Sequence, residues 1–172
     1  MSVLYLDSEY NGFNGQLISL ALCPDDGTEP WYEVTELPKL IDPWVRAHVL
    51  PELGQEPLRP MLFKMSFHSY IQKFENPLII CDWHVDAVHF CQLLSGFDYG
   101  SSLDFEFRMH VLKTPRIGGP MSVHNALDDA RILMTWHKER ENAKKMDFQG
   151  DPTPGRTPQE IKGPRGAEDT GE

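Results

Sequence analysis

Apolar and polar residues follow three rhythms along this chain, and each predicts a different element. Val3 to Leu6 is a short apolar, β-prone run that stops at Asp7. Gln16 to Leu22 and Trp31 to Val34 are two further β-prone runs, separated from their neighbours by Asn/Gly-rich and Pro-Asp-Asp-Gly segments. Such turn chemistry between strands predicts hairpins, so the N-terminal part reads as a three-stranded antiparallel meander. Asp42-Pro43-Trp44 predicts a short helix with Asp as cap and Pro at its first position, ending near Pro51. Phe63, Phe67, Tyr70, Ile71 and Phe74 then recur at helical spacing. Pro77 to Cys81 is continuously apolar, as in a strand buried on both faces. From His84 to Leu94 the period is helical again, with Val85, Val88, Cys91 and Leu94 on the expected inner side. Leu103 to Met109 alternates like a strand, Pro115 to Pro120 is a loop, and a last helix is expected over about 123–144, with Ala126, Ala130 and Leu133 inward, beside His137 or Met134.

The predicted order is therefore α/β: a mixed sheet, in which an antiparallel meander joins parallel strands, flanked by helices. A length of 172 residues and a hydrophobic share of 40% fit one domain with sequence to spare. Residues 1–146 are expected to form it. Residues 147–172 are almost without apolar content and are expected to be a disordered C-terminal tail. A formal net charge of -10 argues against a broad electrostatic footprint on duplex nucleic acid, which needs clustered Lys and Arg. It does not exclude a site where bound cations meet phosphate. The three cysteines, Cys23, Cys81 and Cys91, are odd in number and form no CxxC pair, so reduced thiols in the cytoplasm are expected. The N-terminus lacks the basic start of a signal peptide, and no apolar run is long enough to span a bilayer.

Chemistry concentrates in three acidic clusters. Asp7 and Glu9 stand two apart, so in a strand both point to one face and repel unless something positive lies between them. Asp82 follows the buried strand and Asp86 opens the next helix, at the carboxyl end of a strand where α/β sheets bind ligands. His124 precedes Asp128 and Asp129 at the start of the last helix. Taken singly, each cluster reads as well as an exposed pair or a helix cap. Together, they supply the carboxylates that a pair of divalent cations about 3.5–4 Å apart requires, and a neutral histidine beside them can take a proton from water.

With these residues the chain resembles the DEDD exonuclease superfamily on the ribonuclease H-like fold, in its histidine-bearing branch. Asp7-Ser8-Glu9 matches the first motif, Asp86 the second, and His124 to Ala130 the third, its histidine five positions before Asp129. Asp128 occupies a variable position of that motif, and Asp82 stands where Asn is common. Asp7 to Gly12 and Leu17 to Leu22 also look like a small subgroup of short phage and bacterial exoribonuclease-like proteins. The resemblance covers about Val3 to Trp136.

It implies a 3′–5′ exonuclease using two Mg²⁺ or Mn²⁺ ions on the 3′ end of a single-stranded RNA or DNA, with RNA slightly favoured. Asp7, Glu9 and Asp129 would hold the ion that carries the attacking water. Asp7 would bridge to a second ion supported by Asp86, and His124 would be the general base. Tyr10, Asn11 and Gly12 would approach the terminal nucleotide. Lys113 and Arg116 could meet phosphate, but a solvated loop is the favoured reading of those two. The expected location is a bacterial cytoplasm, or the host's for a phage-encoded chain, and a homodimer is compatible with the resemblance.

Three rivals remain. One is a catalytically inactive nucleic-acid-binding module on the same fold. Another is an endonuclease on that fold. The third is a zinc site built from Cys81, His84, His89 and Cys91, which the apolar settings of both cysteines disfavour.

Overall fold

In the central strand, β1 (Val3–Tyr10), side chains alternate between two cores. Leu4 and Leu6 enter one core and Tyr5 the other, which sends Asp7 and Glu9 to the Tyr5 side. The strand belongs to a computed structural model that describes residues 2–13, 15–96, 101–114 and 124–149, the side chains of 147–149 apart. β2 (Leu17–Pro24) runs antiparallel to β1, and β3 (Trp31–Val34) antiparallel to β2. β4 (Leu78–Cys81) lies parallel to the other side of β1, and β5 (Arg108–Val111) parallel to β4. The sheet order is β3-β2-β1-β4-β5. The mixed α/β sheet expected from the sequence is present, meander and parallel strands included.

Helices cover both faces. α1 (Pro43–His48) is capped as expected: Asp42 Oδ1 accepts from the backbone N–H of Trp44 at 2.8 Å. A 3₁₀ turn, Leu50–Glu52, follows it. α2 (Pro60–Ile71) and α3 (His84–Leu93) pack with Leu4, Leu6, Leu20, Leu22 and Ile79 in the larger core. There Phe67 meets Trp31 and Phe90 edge-on, with ring centroids 5.6 and 5.5 Å away. α4 (Ala126–Gln149) covers the opposite face, where Ala126, Ala130 and Leu133 meet Tyr5, Ala21 and Ile80. Two alanines in its first turns let this helix approach β1 closely. His137 Nδ1 pairs with the Tyr5 hydroxyl at 2.9 Å one turn beyond.

Four sequence expectations need correction. β1 does not stop at Asp7 but continues to Tyr10, because β2 pairs with it throughout. The alternating segment from Leu103 is no strand until Arg108. Leu103, Phe105 and Phe107 pack on the larger core in extended chain, and ladder pairing with β4 begins only at Arg108. α3 is turned relative to its apolar stripe. Val85, Asp86, His89 and Phe90 face inward, while Val88 and Cys91 are exposed. The last helix starts at Ala126 and continues to Gln149, against the expected span of about 123–144. The expected loop at Pro115 to Pro120 and the tail from 150 lie outside the described residues. Among those described, no helix is long and apolar enough to cross a membrane.

Phe67 is fully buried between the sheet and α3, so Phe67→Ala should cost about 3–5 kcal/mol in equilibrium denaturation. A loss under about 1 kcal/mol would show that the larger core is not packed around this ring.

Candidate metal centre

β4 leaves the sheet early, and that makes the site. Its pairing with β1 ends at Tyr5↔Ile80, so the flank of β1 beyond Leu6 is left open. Asp7 and Glu9 occupy that free stretch, held on the other side by Ala21 and Ser19 of β2. The chain turns out of β4 at Asp82 and re-enters as α3, which carries Asp86 in its first turn. Ser8, on the opposite face of β1 from Asp7, donates to Asp86 Oδ1 at 2.6 Å and fixes it at the strand edge. Thr114 Oγ1 donates to Asp82 at 3.0 Å.

α4 supplies the last carboxylate. Its cap is Asn125, whose Oδ1 accepts from the backbone N–H of Leu127 at 3.0 Å and whose carbonyl accepts from Asp129 at 3.0 Å. Asn125 also donates to Glu52 O at 2.6 Å, tying the helix start to the 3₁₀ turn. Because Asn125 caps, neither Asp128 nor Asp129 has to. Asp128 pairs outward with Arg131 at 3.2 Å. Asp129 turns toward β1.

Two carboxylate groups result, and they share Asp7. One joins Asp7, Glu9 and Asp129; the other joins Asp7, Asp82 and Asp86. Within each, one oxygen per residue lies within 4.8 Å of the others. Asp82 and Asp86, which the sequence left as alternatives, thus stand together. Among the described residues, groups of this kind contain no Cys or His, and Cys81 is buried in the core while Cys91 is exposed.

Burial and mutual repulsion act in one direction here. Burial, then Asp86, Glu9 and Asp129, hold the Asp7 carboxyl well above its ordinary range. Burial beside Asp129 and Asp86 pushes Glu9 up to about 8. Burial raises Asp86 to about 7 against the opposing Ser8 hydrogen bond, and Asp129 to about 6 with Asp128 adding. At about 1.4 kcal/mol per pKa unit, keeping such groups charged near neutral pH takes several kcal/mol, comparable with the net stability of a domain. Cations between the carboxylates would remove that cost. Asp86 Oδ2 strengthens the fit: it is buried without a hydrogen-bond partner among the described residues, and a hard, oxygen-seeking cation such as Mg²⁺ or Mn²⁺ would satisfy it.

The carboxylates floor a cleft of about 490 Å³ walled by Tyr10, Phe13, Trp44 and Trp83. Phe13, Trp44 and Trp83 are 80%, 50% and 46% exposed, an unusual concentration of open aromatic surface around one cleft. The sequence reading missed these three and Ser8. Their signal was faint, since an aromatic residue in a turn or helix cap has no period to betray it. Of the predicted nucleotide contacts, Tyr10 and Gly12 border the cleft, Gly12 with φ +70°. Asn11 instead clamps the turn to the start of α1: its Oδ1 accepts from Asp42 N and its Nδ2 donates to Leu40 O, each at 2.8 Å. His124 has φ +51° and stands edge-on to the Trp44 ring, 4.9 Å between centroids. Trp44 in turn stacks on His48 at 4.7 Å. His124 thus adjoins Trp44 of the cleft wall and, among the described residues, belongs to neither carboxylate group. Lys113 is described but is not part of the cleft's lining, and Arg116 lies outside the described residues.

Compared with known proteins, the chain matches no family model and no curated protein.

The raised carboxyl pKa values fix a sign. Groups whose folded pKa exceeds the unfolded value stabilise the fold below the unfolded value, near pH 4, and lose that contribution as pH rises to about 8. Thermal melts in chelator should therefore fall between about pH 5 and 8.5, and added Mn²⁺ should restore more stability at the higher pH. Asp7→Asn should flatten both trends. A Mn²⁺ effect independent of pH would contradict the arrangement.

Proposed function

We propose that this protein is a metal-dependent 3′–5′ exonuclease on a ribonuclease H-like sheet, acting on single-stranded RNA or DNA. The observation that carries the reading is the pair of carboxylate groups joined through Asp7. Phosphodiester hydrolysis with two ions needs one ligand shared between them, and a residue common to two clusters is suited to that task. The sheet order β3-β2-β1-β4-β5, with the first three strands antiparallel and the last two parallel to β1, supports the fold assignment.

In this reading Asp7, Glu9 and Asp129 hold one divalent ion, and Asp7 with Asp86 and Asp82 the other. Bound Mg²⁺ or Mn²⁺ would activate water and offset charge on the departing 3′ oxygen. The chain's own residues do the rest. Ser8 orients Asp86 through its hydrogen bond. Asn125 caps α4 and so points Asp129 at β1. His124, held against Trp44, is assigned as the base that takes the proton from the attacking water. Trp44, Trp83 and Phe13 offer ring faces on which unpaired bases stack. Such stacking accepts any base, which suits processing of single strands over a sequence-specific cut.

End-labelled single-stranded and duplex RNA and DNA, incubated with Mg²⁺ or Mn²⁺, test this directly. Laddering from the 3′ end of single strands is expected. Asp7→Ala and Asp129→Ala should abolish it while the fold persists, because each removes a repelling carboxylate. His124→Ala should lower the rate by about 10²-fold or more with Mn²⁺ binding retained. Internal cuts would favour an endonuclease, and binding without cleavage an inactive module. Hydrolysis surviving both aspartate changes would overturn the metal-site assignment.

A further inference from the structure

A second cavity opens on the other side of Tyr10. It has a volume of about 670 Å³ and lies between α2, α3 and the residues leading into β2, a size typical of small-ligand sites. Leu17, Pro60, Val85 and Val88 give it apolar walls. His89 lines it as well, 7% exposed, with Nε2 buried and lacking any hydrogen-bond partner among the described residues. An orphaned buried nitrogen is costly and uncommon in native folds. α3 buries His89 and leaves its neighbour Val88 exposed.

The two cavities meet at one pair of rings. Tyr10 borders the carboxylate cleft, and its ring centroid is 5.5 Å from that of His89. Among the described residues, Lys64 is the only Lys or Arg lining either cavity, and its Nζ is anchored to Ser95 Oγ at 2.9 Å and Gly96 O at 2.8 Å. One positive charge is thus fixed at the second cavity.

We infer that this cavity receives an unpaired nucleobase, upstream of the 3′ end held at the carboxylates, with His89 Nε2 bonding the edge of the base. The inference deepens the nuclease reading and rests on it. A nucleobase has apolar faces and a polar edge, and the cavity offers apolar walls with the unpartnered His89 nitrogen and the Gln16 and Gln92 amides beside them. Burial keeps His89 below its ordinary pKa, with Gln92 acting in the opposite sense. The ring is therefore neutral at pH 7, which suits a base edge better than a phosphate. Lys64 is the group placed for the backbone phosphate. A base can enter only if it is unstacked and unpaired, so the cavity selects single strands.

The test uses short single-stranded oligonucleotides carrying one abasic residue, moved stepwise from the 3′ end. Affinity is read by fluorescence anisotropy in chelator, where hydrolysis does not interfere. The full chain should show one upstream position at which loss of the base weakens binding about tenfold. Val88→Trp fills the cavity from an exposed position, and His89→Phe keeps the ring but removes the nitrogen. Both should erase that position effect. An even loss over all positions, or an effect that survives in both variants, would overturn the inference. Hydrolysis of intact oligonucleotides with Mn²⁺ separates the two proposals. Cleavage without a position effect removes the base site and leaves the nuclease. A position effect without cleavage does the reverse.

Discussion

Five carboxylates crowd the edge of one strand, and the rest of the molecule is arranged to hold them there. Asp7 is the hinge of the arrangement, since it belongs to both acidic groups. Left to themselves these side chains would repel and take up protons, as the upward shifts at Glu9, Asp86 and Asp129 show. They stay together because each is anchored from behind. β2 fixes Asp7 and Glu9, Ser8 fixes Asp86, Thr114 fixes Asp82, and the Asn125 cap fixes Asp129. The two hydrophobic cores carry the cost. Small alanines at the start of α4 bring its carboxylate in from one face of the sheet, while α3 brings its own from the other. Stability given up in this way would be recovered by the divalent cations proposed for the site.

Much of this plan was legible in the sequence, for reasons that also explain the failures. Period-2 and period-3.6 patterns report burial, so the meander, the buried β4 and the stripe of α2 could be read directly. The same patterns mislead where burial serves chemistry. α3 turns Asp86 and His89 inward at the expense of Val88, and no apolar count foresees a buried carboxylate. The alternation from Leu103 to Phe107 reports contact with the core but not hydrogen-bond pairing, so extended chain was read as strand. At the site, the acidic residues stood out by their clustering. Their anchors did not: Ser8 and Asn125 are ordinary polar residues until the fold brings them to a partner. The aromatic wall was invisible for the same reason.

The cleft and the second cavity are neighbours, with Tyr10 of one and His89 of the other 5.5 Å apart between ring centroids. A chain of net charge -10 has little general attraction for a polyanion. In the proposed function, affinity would come from bound ions and from stacking, which would confine binding to single strands engaged at the site. The acidic character of the protein thus works with the proposed activity, discouraging unproductive contact elsewhere.

Two cation positions joined through Asp7 are the centre of the proposed chemistry, and Mn²⁺ itself reports on them. Electron paramagnetic resonance during Mn²⁺ titration, combined with calorimetry, counts the ions and detects whether they interact. Two bound ions per chain with a spin-coupled spectrum are expected, reduced to at most one weakly held, uncoupled ion in Asp7→Asn. A single uncoupled Mn²⁺ in the unaltered protein, or two ions retained by Asp7→Asn, would contradict the shared-ligand centre on which the mechanism rests.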